Sequence, residues 1–174
     1  MEEITVNKYN LKEGQIDRRG KKARALLLKD DKILISHYGG SIILPGGSMK
    51  KDEYPEEALI RELKEETGIT YDYYDLDPLY KLDHYQMNYR LREGCTVNRR
   101  IKTYFFVGDF KGIDLDKQEL TKSEKKSNFY LELVDMKRLL ELLEEKTNNP
   151  RKKFFDRELN ETIKVYNKVY GKRL

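Results

Sequence analysis

GSMKKDEYPEEALIRELKEETGI, residues 47–69, is the stretch around which this 174-residue chain is organised. It reads as a glycine, five residues, Glu53, seven residues, then Arg61-Glu62-Leu63-Lys64-Glu65-Glu66-Thr67-Gly68-Ile69. Glu62, Glu65 and Glu66 fall at i, i+3 and i+4, which on a helix of about 3.6 residues per turn sets three carboxylates on one face. Like charges at that spacing repel by about 0.2–0.5 kcal/mol per pair on an isolated helix, and a helix built only for stability interleaves lysines there. A cation against the acidic face resolves the conflict. Hard oxygen donors with no His or Cys beside them select Mg²⁺ or Mn²⁺ over zinc.

The flanks supply the local structure. Ser41-Ile42-Ile43-Leu44 is a short strand running into Pro45-Gly46-Gly47, where glycines let the backbone turn sharply and approach a ligand. Pro55 suits a first helical position, although Tyr54 before it is a poorer cap than Ser or Thr. Ile60, Leu63 and Thr67 form the core-facing stripe, and Gly68 stands where a left-handed cap ends a helix.

This pattern resembles the signature of the Nudix hydrolases at nine specified positions: Gly47, Glu53, Arg61, Glu62, Leu63, Glu65, Glu66, Gly68 and Ile69. So many fixed positions in one window are far more specific than a lone glycine-rich loop. The resemblance covers this window and the strand leading into it. It implies an α/β fold, a Nudix-type α/β/α sandwich with a mixed β-sheet, the box helix on one side and the C-terminal helices over the other. It also implies a divalent-metal-dependent pyrophosphohydrolase cleaving a phosphoanhydride bond of a nucleoside diphosphate linked to another moiety. Nucleoside triphosphates, dinucleoside polyphosphates and nucleotide sugars all remain open as substrates.

Carried over residue by residue, the resemblance makes Glu62, Glu65 and Glu66 the metal ligands, with the backbone carbonyl of Gly46 (or Gly47) as a further one. The cofactor it implies is Mg²⁺, with Mn²⁺ as the substitute. Arg61 orients a glutamate, and Glu53 supports the site from the loop side or binds a further metal through water. The general base is a glutamate of the box or a loop carboxylate; Glu119, Glu124 and Glu132 are the candidates outside the box. For each of those three alone, a surface or strand role is the better reading. Tyr85 stands close to where a tyrosine marks dinucleoside polyphosphate hydrolases of the family. With Arg99 and Arg100 it forms a candidate substrate-binding set; Tyr80, Tyr89 and Arg90 are further groups able to stack on a base or hold phosphate, although core packing or sheet-surface positions explain most of them equally well. His37 and His84 read as structural.

The rest of the chain sets bounds. Its length suits one domain, residues 1–174, with a polar N-terminal segment (1–20) that adds an edge strand or covers the core, and a C-terminal basic helix over 150–174. The net charge of +4 favours polyanions such as nucleotides without the concentrated basic field of a dedicated nucleic-acid binder. Cys95, the single cysteine, excludes an intramolecular disulfide and reads as a buried or half-buried thiol. Short apolar runs and an N-terminus without an apolar core argue against a membrane span or signal peptide and for a cytoplasmic protein.

Further elements follow in order. A hairpin is expected near 22–28 and 33–37, and strands near 79–90 and 99–109 about a turn at 91–95. Residues 113–127 read as a mobile loop, followed by a last strand at 129–133. Asp135 caps a helix with apolar face Met136, Leu139, Leu140 and Leu143; Thr147–Pro150 breaks it. The final helix presents Phe155, Leu159, Ile163, Tyr166 and Tyr170, while residues 151–174 hold eight Lys/Arg against three Asp/Glu. Two other functions stay open: a non-catalytic nucleotide sensor, which the complete set of box glutamates disfavours, and an RNA 5′-end pyrophosphohydrolase, whose one support is that basic helix. Homodimerisation through residues 1–20 or the last helix is compatible with the sequence.

Overall fold

A computed structural model of the chain describes residues 1–91, 93–146, 149, 151–171 and 174. The central strand is β2 (Arg18–Lys29), whose apolar run from Ala25 is buried on both faces of the sheet. It follows β1 (Glu2–Val6) and precedes β3 (Lys32–Tyr38), β4 (Ser41–Ile43), β5 (Gly46–Ser48) and helix α1 (Pro55–Thr67). Then come β6 (Leu76–Arg90), β7 (Thr96–Asp109), α2 (Lys122–Lys126), β8 (Tyr130–Val134), α3 (Met136–Glu144) and α4 (Lys152–Tyr170). The sheet runs β1-β6-β7-β2-β3-β4, with β5 on β2 and β8 on β3. It is mixed: β2 pairs parallel with β7 from Arg18 to Leu28 and antiparallel with β3 and β5.

The alternation of β2 divides the core. Ala23, Ala25 and Leu27 pack with Ala58, Leu59 and Leu63 of α1, whereas Leu26 joins Leu139 and Leu142 of α3 and Leu159, Ile163 and Tyr166 of α4. Helices therefore cover both faces of the sheet, as an α/β/α sandwich requires. Burying two faces removes far more apolar surface from water than one, at about 25 cal/mol per Å².

Several expectations need correction. Residues 113–127 are not a mobile loop. Leu115–Lys117 form a 3₁₀ turn, and α2 is capped by the Thr121 hydroxyl, which accepts from the Glu124 N–H at 3.2 Å. The segment is also tied to α1: the N–H groups of Asp114 and Glu119 donate to the Thr67 and Glu65 carbonyls at 2.7 and 2.8 Å, and Gln118 Nε2 donates to the Glu66 carbonyl at 2.6 Å. These carbonyls are the ones a helix end leaves unpaired. No apolar periodicity announces such polar docking.

In α1, Ala58 and Leu59 are buried and Ile60 is only half-buried, so the stripe is shifted by one position. In α3, Leu142 is buried and Leu140 is exposed, and Tyr170 of α4 is exposed as well. Cys95 is exposed, not buried. Residues 1–20 supply edge strand β1, parallel to β6, and also the buried Leu11 and Ile16. Arg92 of the expected 91–95 turn, Thr147, Asn148 and Pro150 of the expected helix break, and Lys172 and Arg173 of the basic tail lie outside the described residues. Among the described residues no helix is long and apolar enough to cross a membrane.

Candidate active site

The loop from β4 to α1 and the acidic face of α1 meet at backbone distance. Gly46 has φ +118°, a conformation that a side chain disfavours, and a Cβ there would lie 2.3 Å from the Ala23 carbonyl oxygen. Its N–H donates to Glu66 Oε2 at 3.0 Å. Gly47 makes the second close approach: a Cβ on it would lie 2.2 Å from Glu62 Oε2. Two glycines thus let two box glutamates reach the loop.

Arg61 is the organiser of the rim. Its Nε and Nη2 donate to the two oxygens of Glu53 at 2.9 and 3.1 Å, and its Nη1 donates to Glu62 Oε1 at 2.7 Å. Nη2 also reaches the Ser48 carbonyl at 3.1 Å, so one planar guanidinium ties loop to helix. Glu53 accepts the Lys50 N–H at 2.7 Å, and the guanidinium beside it holds its carboxyl below the ordinary carboxylate range. The weak Tyr54 cap is remedied from inside the helix, where Glu57 accepts the Tyr54 N–H at 2.9 Å.

Glu62, Glu66 and Glu124 converge, with one carboxylate oxygen of each lying within 4.8 Å of the others. Glu66 is buried at 2 % exposure, and burial pushes its carboxyl up to about 8. Arg24 and the Gly46 N–H pull the other way, and the Glu62 and Glu124 charges add to the rise. Glu62 is also pushed up, first by burial and against the pull of Arg61. Glu124 arrives from α2, and its Oε2 accepts from the Thr121 N–H at 2.6 Å and hydroxyl at 2.7 Å. Three carboxylates, each held by a hydrogen bond and one of them also buried against its preference for water, make surroundings that fit a hard divalent cation. Glu65 lines the same cleft, 3.4 Å from Arg61 Nη1, but stands outside the triplet. The Gly46 carbonyl accepts from Arg24 Nη1 at 3.1 Å.

The cleft above these carboxylates has a volume of about 600 Å³. It is also lined by Lys22 and Arg24 of β2, Tyr89 and Arg99 of the β6–β7 hairpin, and Arg151 and Phe155 at the start of α4. Of the expected substrate-binding set the structure brings Arg99 to the cleft, and places Tyr85 and Arg100 on the other side of the sheet. Neighbouring residues of a strand face opposite ways, so Arg99 and Arg100 part company. Tyr85 donates to Glu13 at 2.9 Å, and Arg100 is held by Asp83 at 2.6 Å. Tyr89 reaches the Arg99 side because the ladder is irregular between Gln86 and Tyr89, where Asn88 takes φ +52°. The Arg99 guanidinium then stacks 3.2 Å from the Tyr89 ring centre.

Among the candidate bases, Glu124 lines the cleft, whereas Glu119 is exposed beyond it and Glu132 pairs with His37 at 2.7 Å. His37 also stacks on Tyr130, and His84 is buried and pushed down to about 4 by that burial, in keeping with structural roles. Tyr80 is a core residue stacked on Phe105. Lys22 and Arg24 escaped the sequence reading. Two charged residues at i and i+2 leading into an apolar strand were the available signal.

A family model of the NUDIX domain matches residues 16–157, and the chain belongs to the Nudix family. A similar curated relative is an 8-oxo-dGTP diphosphatase of Proteus vulgaris, 56% identical over 36 residues, which are 21% of this chain and 32% of that one. The chain therefore matches about a third of that relative's length. Among solved structures, a NUDIX hydrolase from Nitrosomonas europaea aligns with a TM-score of 0.60 and 17% identity, over 89% of this chain and 91% of that one. The NUDIX domain of Shewanella oneidensis NrtR, solved with ADP ribose, aligns with a TM-score of 0.52 and 16% identity over 87% and 93%. At such identities the structural likeness is one of fold.

Proposed function

We propose that the chain is a cytoplasmic, Mg²⁺-dependent pyrophosphohydrolase that cleaves a phosphoanhydride bond of a nucleoside diphosphate linked to another moiety. The observation that carries this reading is the convergence of Glu62, Glu66 and Glu124 at a cleft whose lining also holds basic and aromatic residues. Glu62 and Glu66, with Glu65 and the Gly46 carbonyl alongside, are the groups that hold the divalent ion. When bound, such an ion neutralises phosphate charge and lowers the pKa of water. Arg61 and Glu53 fix the orientation of Glu62. Glu124 approaches the box from α2, its Oε2 anchored on Thr121, and takes the proton of the attacking water. Tyr89 and Arg99 offer a stacked surface to a base or a phosphate.

The sensor reading loses support from the intact carboxylate set. The RNA reading rests on the basic helix, yet there Lys152, Lys164 and Lys168 are paired with Asp156, Glu161 and Glu2 at 2.7, 3.0 and 3.2 Å.

The test is phosphate or nucleotide release from a panel of nucleoside triphosphates, dinucleoside polyphosphates and nucleotide sugars, with Mg²⁺ and with Mn²⁺. Glu124→Gln is expected to lower kcat by about 10²–10⁴ with KM little changed, the range for loss of a general base. A wild-type chain that binds these nucleotides and turns none over defeats the proposal.

A further inference from the structure

The basic part of the cleft lining carries more positive charge than the described residues neutralise. Lys22 and Arg24 are two positions apart on β2 and point to the same side of the sheet. Arg24 is buried; its Nη1 donates to the Leu44 and Gly46 carbonyls, and its Nε stands 3.7 Å from Glu158. Arg99 is half-buried on the Tyr89 ring and donates to Gln86. Arg151 borders the first turn of α4, a helix of 19 residues whose N-terminal dipole end adds a partial positive charge. Lys22 stands among them, its ammonium 5.9 Å from the Phe155 ring centre. Among the described residues it has neither a hydrogen bond nor an ion pair. Burial and the Arg24 charge push it down to about 7, against a weaker opposing pull from Glu158. A half-buried lysine surrounded by three arginines is an arrangement that an anion stabilises and water serves poorly.

We propose that Lys22, with Arg24, Arg99 and Arg151, forms an anion subsite for a phosphate group of the substrate additional to the two joined by the scissile anhydride. The inference rests on the pyrophosphohydrolase reading for the word substrate, but the site itself stands on the grouping of these four basic residues in one cleft. A divalent ion held by the carboxylates would offset the charge of the two phosphates of the anhydride. The basic residues that line the same cleft would then be left for a further phosphate. A cleft of about 600 Å³ lies within the roughly 300–1,000 Å³ range of sites for small ligands, so one molecule can reach both the carboxylates and the basic residues. The substrate class is thereby narrowed to nucleotides with a longer phosphate chain or with a phosphorylated sugar.

Binding in EDTA separates this subsite from the metal centre. Isothermal titration with inorganic tripolyphosphate, adenosine 3′,5′-bisphosphate and AMP tests the two sources of the extra phosphate against a nucleotide lacking it. At least one of the first two is expected to bind tenfold or more tightly than AMP. Lys22→Met is expected to erase that advantage, and Lys22→Arg to retain it. Equal binding of all three ligands, or an advantage that survives Lys22→Met, overturns the subsite. A chain that hydrolyses nucleotides but fails this test keeps its activity and loses the subsite; one that passes but hydrolyses nothing loses the hydrolase reading instead.

Discussion

Replacing Glu66 with Gln should stabilise the metal-free protein while destroying its response to metal. Glu66 is buried, and its carboxyl is pushed from the usual 4.5 up to about 8. For an acid raised on folding, the folded state holds a proton that the unfolded chain releases between those two values. Stability is therefore unaffected below pH 4.5, falls as pH rises from there, and reaches its full loss above pH 8. At about 1.4 kcal/mol per pH unit the loss is about 3 kcal/mol at pH 7, an upper figure because local relaxation lets water reach the charge. Gln keeps an oxygen for the Gly46 N–H and removes the charge. In urea unfolding with EDTA, Glu66→Gln should thus exceed wild type by up to about 3 kcal/mol at pH 7. The gap should shrink below about 1 kcal/mol at pH 5. Added Mg²⁺ should raise wild-type stability, by about 2.7 kcal/mol at a hundredfold excess over Kd, and leave the variant where it was. A gap that is absent at pH 7, or that does not shrink towards pH 5, refutes the assignment of Glu66 as a charge held ready for a cation.

Three further changes probe the scaffold. Gly47→Ala should displace the Glu62 carboxylate, since the new Cβ would lie 2.2 Å from its oxygen; calorimetric Mg²⁺ affinity should fall by about 10–100-fold, the range for disturbing the support of a metal ligand. Gln118→Ala removes the 2.6 Å bond to the Glu66 carbonyl and loosens the segment that carries Glu124. Its expected stability cost is about 1 kcal/mol, and kcat should drop more than KM rises. Tyr80→Phe loses a buried hydroxyl bonded to Thr162 at 2.9 Å; because Thr162 still donates to the Glu158 carbonyl, chemical denaturation should register a cost of only about 1 kcal/mol.

Regular periodicity made most of the fold legible before any coordinates. The hairpin of β2 and β3, the start of α1 at Pro55, its end at Gly68 in a left-handed conformation, and the Asp135 cap all follow from local rules. The carboxylates were legible for the same reason, since i, i+3 and i+4 share a face wherever the helix goes. What resisted was parity and partnership. A single irregularity at Asn88 exchanges which residues of β6 share a side with Arg99, bringing Tyr89 to the cleft and leaving Tyr85 on the far side. Polar docking of residues 114–119 onto the end of α1 leaves no apolar signature, so a segment that places Glu124 read as a loose one.

By itself, then, the sequence determined a helix with three glutamates on one face, two glycines that let the backbone turn sharply ahead of it, and strands enough to hold both. Those properties depend on neighbours within a few residues. Only the tertiary structure decided that Glu124 comes within reach of Glu62 and Glu66, that Glu65 lines the same cleft beside Arg61, and that Lys22, Arg24, Arg99 and Arg151 line it too. The reason is physical: helix and strand geometry is set by local backbone sterics, whereas contacts between residues 22, 62, 99, 124 and 151 depend on which way a sheet pairs and where its ladder slips.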